Sequence, residues 1–187
     1  MRICGLQWDG LVVTNTVKKH PMTQTLNEKT VIDYVRSLSM PDAIFEKDAV
    51  LSSEAITEGN VNLIFRVFNT ADPLQAVLVK QALPYAWRYP DGAMPVDRQR
   101  IEYDILKIEA RYCPQQVPKV YAYNPDKHLL VIEYFGQHLM MRYALMQQNR
   151  YPLLAQHIGR FMARTLFYTS DFYLSSGDKK AMLPKFI

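Results

Sequence analysis

Leu63-Ile64-Phe65-Arg66-Val67-Phe68, a break at Asn69-Thr70-Ala71-Asp72-Pro73, then Ala76-Val77-Leu78-Val79-Lys80 is the stretch on which the fold turns. In the first run Leu63, Phe65 and Val67 alternate with Ile64, Arg66 and Phe68, the pattern of a strand with apolar groups on both faces. Asn, Asp and Pro in the break read as a turn. The second run is short, apolar and β-branched, a largely buried strand. Together they predict an antiparallel hairpin, and strands joined by hairpins point to an antiparallel sheet rather than βαβ units.

Upstream, Val31, Tyr34, Val35 and Leu38 fall at i, i+3, i+4 and i+7 and predict a helix from Asn27 that Pro41 ends. Downstream, residues 84–95 contain Pro and Gly and read as a loop. Ile101, Ile105 and Ile108 then share one face of a helix beginning near Asp97. Residues 120–123, the turn Asn124-Pro125-Asp126-Lys127 and residues 128–134 predict a second hairpin. A longer helix is expected over about 152–169, with Leu154, Ile158, Phe161, Thr165 and Leu166 on its apolar face. The expected fold class is α+β: helix, hairpin, helix, hairpin, helix. Residues 1–21 match no periodic pattern and are expected to be a disordered extension, with Met22 able to serve as the natural start.

The 187 residues suit one domain, or one lobe with an extension. With 49% hydrophobic and 21% charged residues, a packed core is expected. The net charge of +4 suits an anionic ligand such as ATP, and the lack of a Lys/Arg run argues against nucleic acid. Cys4 and Cys113 are too few for a disulfide scaffold or zinc site, and are expected to be reduced thiols of a cytoplasmic protein. No apolar run is long enough for a bilayer, so no membrane partner is expected, and Asp9 interrupts any leader-like stretch.

Three segments carry candidate chemistry. Glu58-Gly59-Asn60-Val61-Asn62 stands directly before the first strand, where a Gly lets backbone approach a phosphate and the Asn62 amide can donate. Taken alone, one Gly with two Asn is an ordinary turn. Lys80 closes the next strand, one hairpin away, and can meet α- and β-phosphates if a carboxylate holds it. Glu102 is the candidate and Asp104 the runner-up; the plainer readings are a solvated strand end and an exposed helix acid. Val131-Ile132-Glu133-Tyr134-Phe135-Gly136 ends the second hairpin, where the Glu133 carbonyl and the Phe135 N–H can meet an adenine edge. The order of these parts is that of a protein-kinase-like amino-terminal lobe, with a helix after the third strand.

The chain resembles the S-methyl-5-thioribose kinases, of the choline-kinase and aminoglycoside-phosphotransferase type. The similarity rests on residues 58–67, on Val79-Lys80-Gln81-Ala82-Leu83-Pro84-Tyr85, and on residues 164–174, which include Thr169-Ser170-Asp171-Phe172-Tyr173-Leu174. It runs from about Met22 to the end. It implies ATP contacts at Asn62, Lys80 and Glu133-Tyr134-Phe135, with Gly59, Asn60 and Glu102 around them. It also implies transfer of the ATP γ-phosphate to the sugar 1-hydroxyl of methylthioribose in methionine salvage. There are departures: Glu58 stands where the family has Asp, Ile132-Glu133-Tyr134-Phe135 replaces Met-Glu-Asp-Leu, and Asp91-Gly92-Ala93-Met94-Pro95 replaces Gly-Glu-Ser-Trp-Pro.

The family's His-Gly-Asp segment and later metal-binding Asp do not occur in the sequence. No catalytic residue is therefore expected here, and Mg²⁺ ligands are expected in a missing lobe. Asp171-Phe172-Tyr173 is expected to be a structural turn, Gly177-Asp178 lacks the preceding His, and His157 reads as a packed or surface residue. The expected organisation is an extension (1–21), a nucleotide-binding lobe (22–135) and the start of a truncated carboxy-terminal lobe (136–187). The alternatives are a lobe of a related aminoglycoside- or choline-type kinase, and a non-enzymatic binding fragment. The apolar face of the helix over 152–169 is expected to be exposed and to favour self-association as a homodimer.

Overall fold

The computed structural model describes residues 24–38 and 44–186. The expected 1–21 extension, Cys4, Met22 and the stop at Pro41 lie outside the described residues.

The first helix, α1 (Glu28–Ser37), starts where its cap chemistry says it should. The Asn27 side chain accepts from the Lys29 and Thr30 N–H groups at 2.9 and 3.0 Å, and the Asn27 N–H donates back to Thr30 Oγ1 at 2.8 Å. This reciprocal box satisfies donors that the first turn would otherwise leave open. Val31, Tyr34 and Val35 are buried, as their spacing requires.

The expected hairpin is β2 (Leu63–Asn69) with β3 (Ala76–Gln81), antiparallel, Phe65 opposite Val79 and Ile64 opposite Lys80. The second hairpin is β6 (Val120–Asn124) with β7 (Leu129–Glu133), and its turn is held by the Lys127 N–H donating to Asn124 Oδ1 at 2.9 Å. β7 also pairs with β3, which joins the two hairpins into one antiparallel sheet. An edge strand, β1 (Leu51–Ala55), was not anticipated; it pairs with β2 and completes the order β1-β2-β3-β7-β6.

Residues opposite each other in this ladder share a face. Leu63, Phe65, Val67, Val77, Val79, Leu129 and Val131 lie on one face, where they form a single buried cluster with the α1 residues Val31, Tyr34 and Val35. Lys80, Ile64, Leu78, Leu130 and Ile132 lie on the other. The hydrophobic core therefore sits between α1 and the sheet, and the lysine is on the face away from it. Burial beside this core also raises the Tyr34 phenol above its ordinary range.

The segment 84–95 is not a plain loop. It holds a two-strand ribbon, β4 (Tyr85–Ala86) with β5 (Tyr89–Ala93). All of β5 is exposed, so it shows no alternation of buried and open positions, and Pro90 and Gly92 disguise it further.

α2 (Arg98–Tyr112) follows, then the β6–β7 hairpin, then α3 (Met141–Met146), α4 (Leu154–Tyr168), α5 (Ser176–Met182) and a single 3₁₀ turn over Leu183–Lys185. The short α3 and α5 were not anticipated. α2 ties the parts together: Tyr103 stacks on Tyr123 of β6, and Tyr112 stacks on Tyr168 of α4, each at 4.4 Å between ring centres. Arg100 donates to the Lys185 carbonyl at 2.9 Å. No residue of α4 is buried; of its expected apolar face Ile158 and Leu166 are exposed, while Leu154, Phe161 and Thr165 are half-buried, so that face is only partly open. No helix among the described residues is long and apolar enough to cross a membrane.

Candidate nucleotide site

Lys80 is the penultimate residue of β3, on the sheet face opposite the core. Its ammonium donates to Glu102 Oε1, the carboxylate chosen from the sequence. Glu102 reaches it because it lies in the first turns of α2, which crosses that side of the sheet. Both partners are half-buried, at 19% and 28% side-chain exposure, so water screens the pair incompletely. Asp104, the runner-up, instead binds Arg100 at 2.9 Å. Arg100 also binds Asp97 at 2.7 Å, which holds the Asp97 carboxyl below the usual carboxylate range.

The glycine turn lies against the same corner. The Ile56 N–H donates to the Ile64 carbonyl at 2.8 Å, which closes residues 56–64 at the mouth of β2. The β4–β5 ribbon holds the turn from outside. The Trp87 N–H donates to the Val61 carbonyl at 3.1 Å and the Arg88 N–H to the Asn60 carbonyl at 3.2 Å, while the Arg88 guanidinium donates to the Thr57 carbonyl. A Cβ built on Gly59 would meet Ile64 Cδ1 at 3.5 Å and the Asn62 carbonyl oxygen at 3.8 Å, both ordinary contacts. Glycine is therefore not required there by packing within the chain.

Asn62 is oriented by α2. Its Oδ1 accepts from Arg98 Nε at 2.8 Å and its Nδ2 donates to Gln99 Oε1 at 3.5 Å. Gln99 is fully buried, and its Nε2 donates to Glu102 Oε2 at 3.1 Å. Arg98 also donates to the Leu83 carbonyl at 2.8 Å and the Pro95 carbonyl at 2.7 Å, and burial lowers its guanidinium below the ordinary value. Asn62, Gln99, Glu102 and Lys80 thus form one continuous polar chain between the glycine turn and the strand lysine.

Glu133 ends β7 opposite Val77. Its N–H donates to the Lys119 carbonyl at 2.9 Å, and its carboxylate accepts from the Lys119 N–H at 3.0 Å. Beyond it the Tyr134 ring lies 4.6 Å from the Arg66 guanidinium, which also lies 4.5 Å from the Phe68 ring. Phe135 is exposed and meets His138 edge-on. Gly136 sits close beside Tyr134: an added Cβ would lie 2.6 Å from its Cε1.

Ile64, Leu78 and Ile132 lie on the same sheet face as Lys80, with Ile64 opposite Lys80 and Leu78 opposite both Arg66 and Ile132. The corner offers an apolar sheet surface, a paired cation and a hydrogen-bonded turn, which suit a planar ring followed by phosphates.

Curated relatives match the sequence over this region and beyond. A methylthioribose kinase of Bacillus thuringiensis subsp. konkukian is 37% identical over 164 residues, 87% of this chain and 40% of its own length. One from Citrobacter koseri is 32% identical over 165 residues, and one from Yersinia pseudotuberculosis 34% over 163. The chain is homologous to the methylthioribose kinases. It spans about 40% of the length of the relatives it matches. No family model matches the chain.

Against that homology, Gln99 and Arg98 are the site residues the sequence reading did not identify. Arg98-Gln99-Arg100 looks like the solvated start of a helix, and only the fold shows that Gln99 is enclosed. Asp171-Phe172-Tyr173 is a turn after α4, with Phe172 almost wholly exposed and Asp171 3.6 Å from Lys179. His157 is exposed on α4. Among the described residues no group of three or more His, Cys, Asp and Glu side chains is placed to hold a metal ion.

Proposed function

We propose that this chain is the ATP-binding part of a cytoplasmic kinase that phosphorylates S-methyl-5-thioribose at its 1-hydroxyl, in methionine salvage. The observation that carries the reading is the half-buried Lys80–Glu102 pair beside the glycine turn, in a chain homologous to methylthioribose kinases. Residues 22–135 form the nucleotide lobe in this reading and 136–187 begin the second lobe.

Lys80 would neutralise charge on the α- and β-phosphates while Glu102 holds the ammonium in place. Asn62 keeps one amide hydrogen for a phosphate oxygen, because an NH₂ group carries two donors and Gln99 takes one. Gly59 and Asn60 contribute turn backbone. Ile64, Leu78 and Ile132 would pack on the adenine, with the Glu133 carbonyl and Phe135 N–H at its edge and Tyr134 beside them. Mg²⁺ arrives with ATP and would neutralise phosphate charge when bound; among the described residues no cluster is placed to hold it, and its ligands would belong with the His-Gly-Asp segment that this sequence does not contain.

The test is phosphate transfer from ATP with methylthioribose, choline and an aminoglycoside as acceptors. The expected result is transfer to methylthioribose by the whole protein and no turnover by these 187 residues alone. Transfer by this chain at an ordinary kinase rate, or a whole protein that prefers choline or the aminoglycoside, contradicts the reading.

A further inference from the structure

We propose that Gln99 is a positioning residue that couples Asn62 in the glycine turn to the Lys80–Glu102 pair, so that the two phosphate-facing groups act as one unit. Gln99 is a polar side chain with no solvent exposure, and both ends of its amide are used between these groups. A buried amide costs free energy unless it is hydrogen-bonded, so its rotamer is set by the partners it serves. Its Nε2–H to the Glu102 carboxylate is a charge-assisted bond and fixes the oxygen that does not receive Lys80. Flipping the amide would place Oε1 against that carboxylate, which is repulsive. The same orientation presents Oε1 to Asn62 Nδ2, while Arg98 holds Asn62 Oδ1. Asn62 therefore keeps its amide nitrogen toward the lysine side of the corner.

At 3.5 Å the Asn62–Gln99 contact is the longest of the three bonds that lead from Asn62 to Lys80, and so the weakest. A phosphate drawing Asn62 toward itself loosens or tightens that contact and is felt at Glu102. For its consequence in nucleotide binding the inference rests on the kinase reading; the coupling itself does not.

Two measurements on the full chain test it. In the first, NMR follows the Asn62 side-chain amide with and without Glu102→Gln, in the wild-type and Gln99→Met backgrounds. The expected result is a shift of the Asn62 signal in the wild-type background that is lost with Gln99→Met. An equal shift in both backgrounds, or none in either, overturns the coupling. Asn62→Ala gives the same test from the other end, independent of whether Gln99→Met folds: the Glu102 carboxyl ¹³C signal is expected to move, and no movement overturns the proposal. In the second, ATP and adenosine are titrated against wild type and Gln99→Met. Loss of one hydrogen bond to a charged group predicts about tenfold weaker ATP binding with adenosine unchanged; equal weakening of both overturns the positioning role. Absence of ATP binding by the wild type counts against the kinase reading, and the NMR result then decides the coupling.

Discussion

The Lys80–Glu102 pair supplies a prediction whose size follows from its surroundings. The perturbation is a double-mutant cycle of Lys80→Met, Glu102→Gln and the double variant. Two opposite charges in contact at an effective dielectric near 20 attract by about 4 kcal/mol. Holding a lysine side chain in one conformation costs up to about 2 kcal/mol, and partial desolvation removes more. Side-chain exposures of 19% and 28% put the pair between an open surface bridge and a sealed one. The expected coupling is therefore about 1–2 kcal/mol, above the value of a fully exposed pair. Urea denaturation of the four proteins measures it, with 1 M salt as a control. Because the charges touch, most of the coupling should survive salt. A coupling near zero at low salt, or one abolished by 1 M salt, refutes the claim that the pair is sheltered and held.

Three further outcomes are expected. Gly136→Ala forces the Tyr134 ring off its position over Arg66 and should cost about 1–3 kcal/mol, while Gly59→Ala, which meets only ordinary contacts, should stay within about 1 kcal/mol; calorimetric melting compares them. Leu129→Ala empties a fully buried position between α1 and the sheet and should lose about 2–5 kcal/mol in chemical denaturation. Burial raises the Glu109 carboxyl above its ordinary value, so the native state binds its proton more tightly than the unfolded state. Its penalty is absent below the unfolded pKa and complete above the folded one. Glu109→Gln should therefore stabilise the protein at pH 7, with the gain gone below about pH 4, as denaturation at both pH values will show.

Elements with strong local signals were legible in the sequence. α1 has a capping Asn27 and a clean apolar stripe, and β2, β3 and β7 are β-branched runs that the fold buries. Elements held by partners rather than composition were not. β1 reads Leu-Ser-Ser-Glu-Ala, with no alternation, and is fastened by its ladder to β2 and by Ser53 donating to the Glu28 carbonyl at 2.6 Å. β5 is exposed throughout, and α5 is a short polar helix begun by the Ser175 cap. The same division runs through the site. Lys80 at a strand end and Glu102 early on a helix could be paired by reasoning about spacing, because both elements were foreseen. Gln99 could not, because its burial and its bond with Asn62, which is 37 residues away, arise only in the folded chain.

The account's central claim is that this corner binds ATP through Lys80. Calorimetric titration of Mg²⁺–ATP into the full chain and into Lys80→Ala tests it most directly. The account predicts saturable binding by the wild type, weakened at least tenfold by the substitution, since a charge-assisted contact to phosphate is lost. Equal affinity in the two proteins, or no binding in either, contradicts it.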